Sequence, residues 1–118
     1  MSAPEIVEVA GEADRATSQR LRDTLAAIGD RPDARVLVDL TFATFVDSST
    51  LGVLAVSSKR FGPRRDRFAI VCPAGEVRMM FELTALDRVM PLYATRAEAL
   101  AAIAAAGAAP GAPSEATP

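Results

Sequence analysis

The 118-residue sequence contains no histidine and no tryptophan, and its single cysteine is Cys72. Without histidine, the chain lacks the usual general base near neutral pH and a common nitrogen ligand of metal ions. A single cysteine cannot form an internal disulfide, which is typical of a reducing compartment. Because Cys72 lies in an apolar run that begins at Phe68, we predict a small buried residue there and not a reactive thiol. We expect no metal and no other cofactor.

Long apolar runs are also missing. No stretch approaches the roughly 20 apolar residues that span a bilayer, and the N-terminus has neither the basic nor the apolar region of a signal peptide. The formal net charge of −2 provides no basic surface for nucleic acid or for an anionic membrane. We therefore expect a cytoplasmic protein that binds neither.

The composition is that of one globular domain. Half of the residues are hydrophobic, which is enough for a sizeable core. We place this domain at residues 1–106. Residues 107–118 are rich in alanine and proline and contain no apolar anchor that could offset the entropy lost on ordering, so we predict a disordered tail there.

Strand patterns and helix patterns alternate along the chain. Short apolar runs predict strands over residues 5–10, 35–41, 68–72 and 88–93. Residues 11–14 are expected to break the first strand, and residues 62–66 to form a turn before the third. Helical periodicity predicts a first helix that Asp14 or Thr17 could cap and that ends at Gly29. It predicts further helices from 48 to about 61, 76–83 and 95–106. We place the last strand at a sheet edge because Pro91 interrupts it, and we expect Gly107 to end the last helix, whose apolar residues include Leu100 and Ile103. This βαβαβαβα order predicts an α/β layer with a mostly parallel sheet and about four helices.

The stretch from Val36 to Phe61 is the centre of this pattern. A buried strand is followed by a short loop, by the polar residues Asp47–Thr50, and by apolar residues at helical spacing. Small oxygen-bearing side chains favour a helix start because they accept hydrogen bonds from the unpaired N–H groups of the first turn. We expect Asp47 to cap this helix and to orient Ser48. The same N–H groups and the helix dipole would favour a phosphate on Ser48 or Ser49.

Four segments of the chain carry the motifs of a known family in the expected order and spacing. They read GEAD at 11–14, DLTFATFVDSSTLGV at 39–53, EVRMMFELTALDRVMPLY at 76–93 and TRAEAL at 95–100. These segments resemble STAS domains, in particular the bacterial anti-sigma factor antagonists. The similarity covers about residues 5–106. Two features depart from that family: Thr50 stands where glycine is common, and only four residues precede Glu5, where the family commonly has an extra strand.

The resemblance implies a phosphorylation switch. In that family, an anti-sigma factor with serine kinase activity phosphorylates the serine that follows the motif aspartate, and Ser48 matches this serine. The unphosphorylated antagonist binds the anti-sigma factor and frees the sigma factor, and phosphorylation ends this binding. We also expect a phosphatase that resets the switch. Thr44 and Thr50 are alternative phosphate acceptors.

We predict that the surface around Ser48 contacts the partner. The predicted contact residues are Asp47, Ser49, Thr50, Gly52, Val53 and Val56. Gly52 lies one helical turn after Ser48, where a missing side chain would let a partner approach, although Gly52 could instead pack against a neighbouring element. Ser49, Val53, Val56 and Arg60 form a stripe on one helix face, which is a docking strip if it is exposed and part of the core if it is covered.

The remaining features leave alternatives. The basic cluster Lys59, Arg60, Arg64, Arg65 and Arg67 is either a solvated turn or a contact for an acidic partner. A non-switching STAS scaffold, or a subunit of a lipid-transport, transporter or stress-signalling assembly, is the alternative function. An enzyme with Ser48 as nucleophile is disfavoured, because a serine needs an adjacent base and only Lys59, about three helical turns away, could supply one.

Overall fold

The computed structural model describes residues 3–31, 33–61 and 67–108. The elements in chain order are β1 (Glu5–Glu8), β2 (Gly11–Ala13), α1 (Arg15–Gly29), β3 (Val36–Asp39), β4 (Ala43–Val46), α2 (Ser48–Phe61), β5 (Phe68–Val71), α3 (Glu76–Leu83), a 3₁₀ turn (Leu86–Arg88), β6 (Leu92–Tyr93) and α4 (Arg96–Ala108). The strands β1, β3, β5 and β6 pair in the spatial order β1-β3-β5-β6, and every pair is parallel. The predicted α/β class with a mostly parallel sheet is confirmed.

Helices cover both faces of this sheet. Val36 and Val38 of β3 belong to a large core with α1, α2 and α3, whereas Leu37 lies in a smaller core on the opposite face. That smaller core contains Ala99 and Ile103 of α4. Every residue of β3 and β5 is therefore buried, and all of them except Asp39 are apolar, which explains why these strands show no polar alternation.

The helix α1 buries the apolar residues that recur at helical spacing. Its residues Leu21, Leu25 and Ile28 are buried, and each such side chain stabilises the fold by roughly 1.5–3 kcal/mol. Asp14 caps the helix through its carboxylate, which accepts a hydrogen bond from the Thr17 amide at 3.0 Å. The prediction of a cap at Asp14 or Thr17 is thereby resolved in favour of Asp14.

Two strands were not predicted. Residues 11–14 were expected to break β1 and residues 42–47 to form a loop, but β2 and β4 pair in parallel as a second, two-stranded sheet. Gly11 has a φ of 73°, in the left-handed region that favours glycine, and the pairing register shifts between Gly11 and Glu12. Strands of three and four residues are too short to show a period of two, and their pairing joins distant parts of the chain.

The C-terminal elements also differ from the prediction. The expected strand at 88–93 contains only β6, which does lie at the sheet edge, after the 3₁₀ turn. The helix α4 continues past Gly107 to Ala108. Its buried face holds Ala99 and Ile103, while Leu100 is exposed. The predicted turn at 62–66 and residues 109–118 of the predicted tail lie outside the described residues.

A buried carboxylate links α4 to the sheet. Asp39 is only 4% exposed, and its Oδ2 accepts hydrogen bonds from Arg96 Nε at 3.0 Å and from Arg96 Nη2 at 2.6 Å. Its Oδ1 accepts the Thr41 amide and hydroxyl, and Arg96 also pairs with Glu8 of β1. Burial acts to raise the pKa of Asp39, but the hydrogen bonds from Thr41 and Arg96 outweigh it and hold the pKa below its usual value.

We expect Asp39→Asn to lower the free energy of unfolding by about 1–3 kcal/mol near pH 7, because Arg96 loses a buried ionic partner. Since the pKa is lowered in the folded state, the contribution of Asp39 is fully present above about pH 4 and is lost as the pH falls through the folded-state pKa. Urea unfolding at several pH values should show the difference from wild type shrinking below about pH 4. Glu8→Gln, which alters a more exposed partner of Arg96, should cost less than about 1 kcal/mol. Equal costs for both variants would contradict this assignment.

Candidate partner-binding site

The start of α2 is fixed by hydrogen bonds. Asp47 Oδ1 accepts the Thr50 amide at 2.8 Å, so Asp47 caps the helix as predicted. The Asp47 amide donates to the Ala13 carbonyl of β2 at 3.3 Å, and the Thr50 hydroxyl donates to the same carbonyl at 3.4 Å. Strand β2, which the sequence did not reveal, therefore positions the first turn of α2.

The Ser48 side chain is exposed at the first residue of α2. Among the residues that the structure describes, no protein group hydrogen-bonds to its hydroxyl. Ser49 is exposed as well, and the first turn of α2 contains no acidic residue. A phosphate at this position would lie at the positive end of the helix dipole, next to the Asp47 carboxylate that caps the helix through the Thr50 amide.

Gly52 lies on the same face, one turn along α2. It is exposed, and a Cβ built on it would have no atom within 4 Å beyond its own neighbourhood in the helix. The alternative that Gly52 packs against a neighbouring element is therefore wrong. A glycine inside a helix costs roughly 0.5–1 kcal/mol relative to alanine, and no packing requirement in the fold accounts for that cost.

The stripe predicted on α2 lines a groove of about 490 Å³ between α1 and α2. Val56 is 67% exposed, whereas Val53 is half-buried and touches the main core. Ser49 and Arg60 lie at the two ends of the stripe, and both are exposed. The stripe is therefore exposed to solvent at Val56, whereas Val53 packs at the edge of the main core.

Thr50 does not belong to this surface. It is fully buried, and its hydroxyl points to the Ala13 carbonyl. A partner or kinase cannot reach it in the folded chain, so the expected role of Thr50 as a contact or as an alternative phosphate acceptor is not supported. Thr44, the other alternative, is exposed on β4.

Two exposed aromatic side chains were missed from the sequence. Phe42 is 70% exposed and Phe45 on β4 is 52% exposed, and Phe45 precedes Ser48 by three residues. Both lie in the segment that was expected to be a loop, outside the apolar patterns of the predicted strands and helices. This position was the sign in the sequence that they are exposed. They add exposed apolar area just before Ser48 in the chain, whereas the stripe on α2 follows Ser48.

The basic cluster divides into separate roles. Arg67 donates hydrogen bonds to the carbonyls of Ala34 and Phe61, and its guanidinium lies 5.2 Å from the centre of the Phe61 ring. Arg67 is therefore a structural residue and not part of a solvated turn. Arg60 forms an ion pair with Asp30 at 3.0 Å. Arg64 and Arg65 lie outside the described residues.

The described residues offer neither a reactive thiol nor a metal site. Cys72 is buried as predicted, and burial raises the pKa of its thiol to about 11. Within residues 3–31, 33–61 and 67–108, no group of three or more potential ligand side chains could hold a metal ion. None of the helices in that part of the chain is long and apolar enough to cross a membrane.

Comparison with known proteins gives a consistent result. The family model of the STAS domain matches residues 3–99. The anti-sigma-F factor antagonist RsfB of Mycobacterium tuberculosis is 28% identical over 99 residues, which cover 83% of this chain and 80% of RsfB. An anti-sigma F factor antagonist of Paenibacillus polymyxa is 29% identical over 96 residues, 80% of this chain and 82% of that protein. The crystal structure of an anti-sigma factor antagonist from Mycobacterium paratuberculosis superposes with a TM-score of 0.72 at 31% identity, covering 84% of both chains.

Proposed function

The chain belongs to the STAS domain family, and from this premise we propose that it is an anti-sigma factor antagonist. It is a binding module and not an enzyme: it sequesters an anti-sigma factor and thereby frees a sigma factor in the cytoplasm. The names of the curated relatives and of the M. paratuberculosis structure support this proposal. No cofactor takes part in it.

The observation that carries the proposal is the free hydroxyl of Ser48 at the capped start of α2. The anti-sigma factor has serine kinase activity and binds this surface while Ser48 is unphosphorylated. Phosphorylation adds about −1.5 to −2 charges and three strong acceptor oxygens. Removing that charge from water on docking is costly, so the complex dissociates until a phosphatase restores the hydroxyl.

The docking surface surrounds Ser48. Ser49, Gly52 and Val56 are its exposed residues on α2, and Val53 forms its inner margin. Asp47 contributes by capping the helix and fixing the direction of the Ser48 side chain, and not by direct contact. Thr50 has no part in the surface because it is buried.

Phosphate mapping tests this proposal. The protein is incubated with ATP and, one at a time, with purified serine-kinase anti-sigma factors from the same genome, and the product is analysed by mass spectrometry. We expect one phosphate, on Ser48, with at least one of these kinases. Ser49→Ala is the matched control and should still accept the phosphate, whereas Ser48→Ala should not. If no kinase modifies Ser48, the non-switching scaffold or transporter-subunit function is favoured instead.

A further inference from the structure

The groove between α1 and α2 begins next to Ser48. Its lining includes Arg15 and Ser49, near the starts of α1 and α2, and Ala26 and Arg60, near their ends. The two helices run in the same direction, since Thr50 hydrogen-bonds to Ala13 just before α1 and Arg60 pairs with Asp30 just after it. From residue 49 to residue 60, α2 rises by about 16 Å, which is the length of roughly three helical turns. Its lining includes the half-buried Val53 and the exposed Val56, together with the buried Ser18 and Ser57.

The charged side chains that line this groove are all arginines. Arg15, Arg22 and Arg60 line it, and none of its lining residues carries a carboxylate. Asp23 lies 3.6 Å from Arg22, and Asp30 pairs with Arg60 from outside the groove. Both ion pairs are exposed, and such pairs are weak enough to exchange for another carboxylate. The groove lining therefore presents arginine side chains on a chain whose formal net charge is −2.

We propose that an acidic segment of the anti-sigma factor occupies this groove, an inference that rests on the proposed function. Carboxylates of the segment pair with Arg15 and Arg22, and an apolar residue of the segment covers Val56. Charge complementarity selects the occupant, because a groove that is lined by arginines and exposes Val56 fits a segment that carries both carboxylates and an apolar side chain.

An acidic segment in the groove also explains how phosphorylation of Ser48 would weaken contacts at other residues of the surface. Ser49 and Gly52 line the groove, and Ser48 precedes Ser49 at the end that Arg15 borders. A phosphate on Ser48 therefore places a negative charge at the mouth of a groove that holds carboxylates. Repulsion between like charges then opposes the segment directly, in addition to the desolvation of the phosphate itself.

Charge reversal tests the groove separately from the switch. We expect Arg22→Glu to weaken binding by about tenfold or more in calorimetry with the anti-sigma factor that binds the wild-type chain. The matched control is Arg20→Glu, the same change on the exposed opposite face of α1, and it should alter the affinity by less than about twofold. The wild-type affinity should fall as the salt concentration rises, and less steeply for Arg22→Glu.

Each result separates the two proposals. If Arg22→Glu and Arg20→Glu bind the anti-sigma factor with equal affinity while the wild-type chain binds it, the proposed occupant of the groove is wrong and the proposed function still holds. If none of the anti-sigma factors binds the wild-type chain, both fall. If the wild-type chain forms dimers that Arg22→Glu disrupts, the occupant is a second copy of this chain and the proposal is wrong.

Crosslinking identifies the chemistry of the occupant. A thiol-reactive photocrosslinker placed on Val56→Cys reacts at that residue alone, because Cys72 is buried. We expect mass spectrometry to recover a crosslinked peptide of the anti-sigma factor with net negative charge, and no crosslink from the same label on Arg20→Cys. A neutral or basic peptide at Val56 would contradict the proposal.

Discussion

Replacing Ser48 by aspartate should weaken binding to the anti-sigma factor by about 100-fold or more, because docking would bury a charge that has no partner on the other side. The substitution should not destabilise the fold. Ser48 is exposed at the start of α2, where a carboxylate interacts favourably with the helix dipole, so the free energy of unfolding should stay equal or rise by a few tenths of a kcal/mol. Calorimetric titration and urea unfolding of the same sample measure both quantities.

Ser48→Ala is the matched control for this experiment. It removes the phosphate acceptor but adds no charge, so it should bind the anti-sigma factor within about threefold of wild type. With ATP and the kinase present, wild-type complexes should dissociate and Ser48→Ala complexes should persist. Equal binding by the aspartate and alanine variants would show that charge at this position does not control docking.

Replacing Gly52 by leucine should move stability and binding in opposite directions. Because a Cβ at Gly52 meets no described atom outside its own stretch of α2, a good helix former there should raise the free energy of unfolding by up to about 1 kcal/mol. The same side chain would stand where the partner comes closest to α2, so the affinity for the anti-sigma factor should fall by more than about tenfold.

Gly52→Ala separates the helix effect from the steric effect. It should give a similar gain in stability, while its single methyl group should change the affinity much less than leucine does. Wild-type affinity in Gly52→Leu would mean that the partner does not pass over this residue. The absence of a side chain would then have no explanation in docking.

The elements that could be predicted from the sequence are those with local signals. Helices α2 and α3 begin and end as expected, because turn residues and apolar periodicity mark their ends within a few residues. Strands β2 and β4 could not be predicted, since each is stabilised by pairing with the other from about 30 residues away in the chain. The pattern did not show that Ala99, and not Leu100, lies on the buried face of α4, because a helix rich in alanine carries little periodic contrast.

The same distinction holds for the candidate site. The cap at Asp47 follows from the chemistry of a helix start, which depends only on neighbouring residues. That chemistry left Ser48 and Ser49 open, and the choice of Ser48 comes from the resemblance to STAS domains. The burial of Thr50 depends on strand β2, and the contribution of Arg15 and Arg22 depends on how α1 lies against α2. Both are long-range arrangements that composition and periodicity do not encode.

The central claim is that a charge gained at Ser48 stops docking without disturbing the fold. The most direct measurement is the affinity of the anti-sigma factor for the chain phosphorylated at Ser48, compared with the unphosphorylated chain in the same buffer, with the free energy of unfolding measured for both. We expect the phosphorylated chain to bind about 100-fold more weakly or worse, and to be at least as stable. Equal affinities of the two forms would contradict the claim, and so would a loss of binding that is accompanied by unfolding.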